Sequence, residues 1–250
     1  VLDLGQLGTF DDSGVTSSCL VSNRQRRYLF YTGWARGVSV PFYLAAGLAI
    51  SDDDGPFRRL SQAPLLDRSP VDPYLTASPF VRIQGGRWQM WYVSGTRWRP
   101  MATGPHHYYN IRYAESDDGI VWRREGRICL DYAAESEYAF GRPCVIGREG
   151  ALRMWYSVRG DRYRIGYAES DDGLTWLRRD DVAGLEPAGD GWESEMVEYP
   201  WVFDANGHQY MLYNGNDYGR TGVGLAVWEG DDRGSTSSVR RQSGSAPATG

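Results

Sequence analysis

Short runs of apolar and aromatic residues alternate along this chain with clusters of Gly, Asp, Asn and Ser, and the runs fall into three recurring types. The first reads SSCLV (17–21), ASPFV (77–81), RPCVI (142–146) and YPWVF (199–203). The second is aromatic: YLFYTG (28–33), WQMWYVSG (88–95), LRMWYSVRG (152–160) and YMLYNG (210–215). The third reads YLAAGLAIS (43–51), YNIRYAES (109–116), YRIGYAES (163–170) and VGLAVWE (223–229). Runs of roughly four to eight residues, rich in aromatic and β-branched side chains and bounded by turn formers, are strands and too short for helices. Alternation in RMWYSV predicts Met154 and Tyr156 on one face of a sheet and Trp155 and Ser157 on the other. IQGG (83–86), GREG (147–150) and DANG (204–207) supply the positive-φ residues of tight hairpins between the first and second runs.

The third run ends each time in a related motif. AESDDGIVW (114–122) and AESDDGLTW (168–176) are nearly identical, AISDDDGPF (49–57) is looser, and AVWEGDDRG (226–234) is degraded. These residues predict a structural turn into a short fourth strand holding Trp122 or Trp176. Ser and Asp side chains cap the local backbone, Gly takes the left-handed position, and Trp packs between neighbouring sheets. A recurring unit of four antiparallel strands is a propeller blade. The expected fold is therefore all-β, a β-propeller spanning 1–229 with blades at about 14–60, 76–125, 141–180 and 198–229. VLDLGQLGTF at the start reads as the outer strand of a further blade, so the propeller is five-bladed with its first blade largely absent, or else a complete four-bladed ring.

Composition narrows the partners. Hydrophobic residues make up 41% of the 250, enough for a core, and 17 Tyr and 10 Trp accompany a net charge of −5, which argues against nucleic acid. No apolar run approaches the roughly 18 to 20 residues that span a bilayer, so no membrane partner is expected. Cys19, Cys129 and Cys144 have no metal-finger spacing and an odd count, which favours a reducing, cytoplasmic setting. Residues 230–250, rich in Ser, Gly and charge, read as a disordered tail.

In an up-and-down blade the first-to-second and third-to-fourth turns share one end; the second-to-third loops and the blade-to-blade connections share the other. Here the first end is short and stereotyped and the second is long and varied, which is where binding resides on a rigid scaffold. That end carries a carboxylate before the innermost strand of every blade: Asp11 or Asp12, Asp72, Glu137, and Glu195 or Glu198. It also carries Trp34, Arg97, Trp98, His107, Tyr108, Arg142, Arg159, Asn214 and Asp217. Singly, such acids cap loops or pair with Arg36, Arg97, Arg142, Arg159 or Arg220. Recurring together among aromatic rings and guanidinium groups, they describe a carbohydrate site, with rings on the apolar faces of sugars and acids on the hydroxyls. Arg142 and Arg159 also suit an anionic substituent such as phosphate or a uronate. His106 and His107, adjacent on an extended chain, should point apart and make a poor metal clamp. No cofactor is required; a central calcium ion would fit the acids without being demanded by their spacing.

The MWYS strand, the YAESDDGxxW turn and the acid ahead of a Pro-containing inner strand resemble the five-bladed propeller glycosidases, the clan of invertases, levansucrases, arabinanases and β-mannoside phosphorylases. Sialidase Asp-boxes, SxDxGxxW, match less well because the Asp-to-Gly spacing here is one residue shorter. The resemblance implies a transition-state stabiliser at Asp72-Pro73 and a general acid at Glu198-Tyr199-Pro200, with Glu137 as a competing acid. It also implies an Asp nucleophile or base on the first blade. Asp12 is placed for it, but Asp11-Asp12-Ser13-Gly14 lacks the preceding Asn of invertases. The expected chemistry is hydrolysis or transfer of a glycosidic bond by two carboxyl groups, about 5 to 5.5 Å apart if retaining and roughly 6.5 to 9.5 Å if inverting. The alternatives are a non-catalytic glycan- or protein-binding propeller and a structural scaffold whose acids pair internally.

Overall fold

The computed structural model describes residues 1–102, 104–148, 150–229 and 238–242. It divides into two compact units, Val1–Pro143 and Cys144–Gly250. The first begins with β1 (Gly14–Asn23), β2 (Arg26–Arg36), β3 (Phe42–Asp52) and β4 (Arg58–Arg59), an antiparallel sheet in chain order. β5 (Thr76–Gln84), β6 (Arg87–Arg99), β7 (His106–Ser116) and β8 (Ile128–Leu130) follow the same order. A single parallel pair, Tyr109 with Ala139, then continues that sheet into β9 (Ala139–Arg148). In the second unit come β10 (Ala151–Arg159), β11 (Tyr163–Ser170) and β12 (Leu177–Arg178). A last sheet is formed by β13 (Glu198–Ala205), β14 (His208–Asn214), β15 (Val223–Glu229) and β16 (Ser238–Gln242). No helix among the described residues is long and apolar enough to cross a membrane.

The strand and hairpin expectations hold at the residue level. Gly85 and Gly86, Gly147 and Gly150, and Asn206 and Gly207 all have positive φ at the three hairpin turns. Met154, Trp155, Tyr156 and Ser157 alternate as expected, yet all four are buried, because both faces of β10 are covered. The expected disordered tail at 230–250 lies mostly outside the described residues. Within it Ser238–Gln242 is a strand, β16, antiparallel to β15, which departs from that expectation.

The two close copies of the motif build one turn. Ser116 Oγ accepts from the Gly119 N–H (2.9 Å), and Asp118 Oδ1 accepts from Ile120 (2.8 Å) and Val121 (2.9 Å). Ser170 and Asp172 repeat this with Gly173, Leu174 and Thr175, each at 2.8 Å. Gly119 and Gly173 sit at φ +77° and +75°, where a side chain would be strained. These backbone N–H groups hold the Asp118 and Asp172 carboxyls below the usual range. Trp122 and Trp176 donate back to the Gly119 and Gly173 carbonyls (3.0 Å each) and precede the fourth-strand pairing rather than belonging to it. Trp122 packs edge-on against Phe30 of the neighbouring sheet, as expected. In the looser copy the inserted Asp moves the left-handed positions to Asp53 and Asp54 (φ 45° and 62°), and Ser51 donates to the Gly55 carbonyl instead.

Cys19, Cys129 and Cys144 are buried free thiols. Cys19 Sγ exchanges hydrogen bonds with the Val81 backbone, and burial pushes its thiol up to about 12, so it is inert rather than nucleophilic.

Candidate functional site

One device recurs in every four-strand repeat and accounts for most of the acids. The tyrosine near the end of each second-type run donates its hydroxyl to a carboxylate. Tyr31 binds Asp11 (3.0 Å), Tyr92 binds Asp72 (3.1 Å), Tyr156 binds Asp180 (2.5 Å) and Tyr213 binds Glu193 (2.6 Å). In three of the strand repeats an arginine at or near the fourth strand completes the set: Arg59 on Asp11 (2.7 Å), Arg124 on Asp72 (2.9 Å) and Arg178 Nε on Asp180 (3.2 Å). Tyr31, Tyr156 and Tyr213 each lie over a cross-strand glycine, Gly47, Gly166 and Gly224, where a Cβ would come within 2.3 to 2.4 Å of the ring. Opposite Tyr92 stands Arg112, whose guanidinium comes within 3.6 Å of Asp72. Burial, then the adjacent carboxylate, raises the Tyr31 and Tyr92 hydroxyls well above the usual phenol range.

Asp72 is thus a hub. It is 0% exposed and takes bonds from Tyr92, Ser94 (2.7 Å) and Arg124. A carboxylate so enclosed has its oxygens hydrogen-bonded within the protein and ties the second sheet together. Asp180 and Glu193 serve as hubs unanticipated by sequence. Their signal was the recurring Tyr with its facing glycine.

The remaining acids differ. Asp12 is half-exposed; it accepts from the Gly8 N–H (2.9 Å) and Ser13 Oγ (2.7 Å), which hold its carboxyl low. Glu195 is exposed and pairs with Arg162. Glu137, 4% exposed, accepts from the Ala133 N–H (2.8 Å). Glu198, 0% exposed, opens β13 across from Asn214. Each of these last two acids is followed by a tyrosine, Tyr138 or Tyr199, whose ring joins an aromatic cluster.

In the first unit that cluster wraps the tip of the β6–β7 hairpin. On one side Trp34 meets Phe42 (5.2 Å between centroids), Phe42 meets Trp98 (5.1 Å), and His107 stacks on Tyr109 (4.6 Å). On the other side His106 lies on Tyr138 (4.2 Å), Tyr108 meets Tyr132 (6.2 Å), and Arg97 sits over the Tyr108 ring (4.3 Å). His106 and His107 do not diverge as expected: their rings lie 5.5 Å apart at 29°, both against Tyr138. Leu44, Leu75, Ala77 and Val93 form the floor under Phe42, Trp98 and Tyr109. Trp34, Arg97, Trp98, His107 and Tyr108 are therefore brought together, joined by Phe42, Tyr109, Tyr132 and Tyr138, which the sequence does not single out as site residues. Arg142 (φ 47°) turns to the Ser17 carbonyl.

In the second unit Arg159 donates to the Tyr218 hydroxyl (2.8 Å) and covers the Tyr163 ring (5.0 Å). Tyr163, Tyr199 and Tyr218 are mutually within 6.1 to 6.3 Å. Asp217, Tyr218 and Gly219 all have positive φ, and Asn214 Nδ2 donates to the Tyr218 carbonyl (3.1 Å), pinning that turn; Asp217 pairs with Arg220. Among the described residues no group of three or more His, Cys, Asp or Glu is arranged to hold a metal ion, so the calcium expectation acquires no ligand set.

No protein-family model matches the chain. Two Mycobacterium tuberculosis proteins, "Uncharacterized protein MT1551" of strain CDC 1551 and "Uncharacterized protein Rv1502" of strain H37Rv, are each 42% identical over 229 residues, covering 92% of this chain and 76% of theirs. Among solved structures, a glycoside hydrolase superimposes with TM-score 0.72 at 18% identity, over 97% of this chain and 77% of its own. A structure from work on GH130 mannoside phosphorylases and hydrolases of β-1,2-mannosidic linkages in Candida mannan gives 0.66 at 16% identity, over 88% and 68%. The sucrose-6-phosphate hydrolase of Lactobacillus gasseri gives 0.67 at 15%, over 89% and 46%. The chain belongs to the family of the two mycobacterial proteins, and its all-β fold of antiparallel sheets is that of the propeller glycosidases.

Proposed function

We propose that this protein is a carbohydrate-active enzyme that hydrolyses or transfers a glycosidic bond, with Glu137 or Glu198 as the acid that protonates the leaving oxygen. The carrying observation is that both are buried acids at the start of a first strand, each followed by a tyrosine set among rings and an arginine. Rings beside an acid exclude water, favour the neutral carboxyl and cover the apolar face of a sugar. A neutral carboxyl can protonate the leaving oxygen as the glycosidic bond breaks; a carboxylate can attack the sugar or activate water or phosphate. The solved neighbours, glycoside hydrolases and phosphorylases, support the same class.

Whichever of Glu137 and Glu198 is the acid, its replacement by Gln should lower kcat by about 10²- to 10⁴-fold on the glycoside that the wild type turns over best, with the fold intact by circular dichroism. Unchanged turnover in both variants removes them from the mechanism. A second reading is favoured by the commitment of Asp11, Asp72, Asp180 and Glu193 to tyrosines: a glycan-binding propeller without turnover. Wild-type protein that binds glycans but cleaves none of a panel of β-mannosides, β-fructosides and α-arabinosides, with and without phosphate, establishes that reading instead.

A further inference from the structure

Three arginines fringe the aromatic cluster of the first unit, and a fourth, Arg68, lies over Tyr43, which follows Phe42 in the chain. Arg36 ends β2 opposite Phe42, and Arg99 ends β6 opposite His106. Arg97 covers Tyr108, and Arg68 covers the Tyr43 ring (5.4 Å). All four are exposed, and none lies within ion-pair distance of a carboxylate among the described residues. Asp12 feels the charge of Arg36 but is bonded to Gly8 and Ser13. Elsewhere in this acidic protein Arg26, Arg59, Arg123, Arg124 and Arg178 are paired with acids, while Arg24, Arg58 and Arg127 are exposed with no such cluster of rings and arginines around them among the described residues. Cations left without counter-charges beside half-exposed rings are a surface prepared for an anionic partner with flat apolar faces.

The row of rings also has length. Trp34, Phe42, His107 and Tyr138 follow one another at 5.2 to 5.7 Å, Trp98 packs beside both Phe42 and His107 (5.1 and 5.8 Å), and Trp34 is still 37% exposed at its far end. A single sugar engages one or two rings; a row of four suits a chain. Tyr, Trp and His offer an apolar face and a polar edge, which matches the alternation of C–H faces and hydroxyls in a glycan better than the aliphatic surface of a protein partner would.

We propose that this row and its arginine fringe bind a linear glycan carrying anionic groups, carboxylate or phosphate, over several sugar units. This rests on the carbohydrate reading above and names its substrate class. Binding needs no turnover, so the two claims fail separately.

The test is affinity electrophoresis and calorimetry of the intact chain with polygalacturonate, a phosphate-substituted mannan and unsubstituted mannan. Retention by one or both acidic chains, weakening as salt is raised, is expected, and the two acidic arms identify the anion. Trp98→Ala should weaken that binding about tenfold. Because Trp98 also covers the Leu44 and Val93 floor, Arg97→Gln combined with Arg99→Gln, both exposed, gives the fold-neutral check; it should weaken acidic binding and flatten its salt dependence. Neutral mannan binding as well as the acidic chains, no binding to any chain, or unchanged binding in both variants overturns the proposal. Acidic-chain binding without cleavage of any glycoside retains it while refuting the enzymatic reading.

Discussion

At one end of the sheets Ser116 and Ser170 accept from Gly119 and Gly173 at 2.9 and 2.8 Å, and Asp118 and Asp172 repeat each other's bonds to within 0.1 Å. At the other end the loops after β2, β6, β10 and β14 share neither length nor residue type: one sets Phe42 against Trp98, another holds Tyr218 in a left-handed turn over Arg159. Repetition here tracks what every sheet needs in order to fold, and divergence tracks what one sheet alone does. By that rule the tyrosine–carboxylate hubs, present in all four strand repeats, serve the fold although their acids sit near the varied loops.

The largest test of the comparison is Asp72→Asn. It leaves Arg112 and Arg124 beside a neutral group in a dry site, and uncompensated buried charge costs about 3–5 kcal/mol. Tyr92→Phe removes one hydroxyl and should cost about 1 kcal/mol. Urea unfolding measures both. If Asp72→Asn instead kept full stability and abolished turnover, the hub would be catalytic and the rule would fail at its most informative residue.

The difference between the ends also decides what could be read from sequence. The SDDG turn was legible because its bonds join residues two and three apart, and the hairpin glycines because positive φ is a local demand. Asp180 was not legible as a hub, since it follows its tyrosine by 24 residues and lies after the fourth strand, whereas Asp11, Asp72 and Glu193 each precede their tyrosine by 20. Trp34, Trp98 and His107 were legible as candidates, whereas Phe42 and Tyr138 became part of the row only through packing that strand periodicity does not encode. β16 was missed because pairing with β15 supplies what its polar sequence does not advertise.

A middle-sized effect should come from Gly166→Ala. Its Cβ would lie 2.4 Å from the Tyr156 ring and 2.8 Å from Asp180, so the ring must leave the hub; overpacking of this kind costs about 1–3 kcal/mol. Asp118→Ala and Asp172→Ala should cost about 1 kcal/mol each and agree closely, because the two turns make the same bonds. Both carboxyls titrate below their unfolded value of 3.8. Their contribution is therefore fully present above that pH and is lost as pH falls through the folded values, so the wild type should lose stability into acid more steeply than the double variant. Parallel acid limbs in the two proteins would show that the turns contribute no proton-linked stability.

The smallest effect separates the looser turn from its two regular relatives. Asp53 and Asp54 hold left-handed conformations that Gly119 and Gly173 hold elsewhere, and an L side chain there is strained. Asp53 is exposed, so Asp53→Gly relieves that strain while losing no packing, but it also frees the unfolded chain. The two contributions oppose each other, and the net should be a gain of no more than about 0.5 kcal/mol. Gly119→Ala is the counterpart: it introduces strain at φ +77° and places a Cβ 2.8 Å from the Trp88 ring, so it must destabilise. Opposite signs for these two exchanges, read as shifts of the urea midpoint, would show that one inserted Asp relocated the strain of the turn without removing the need for it. Matching signs would mean that the looser copy is a different kind of turn, outside the comparison.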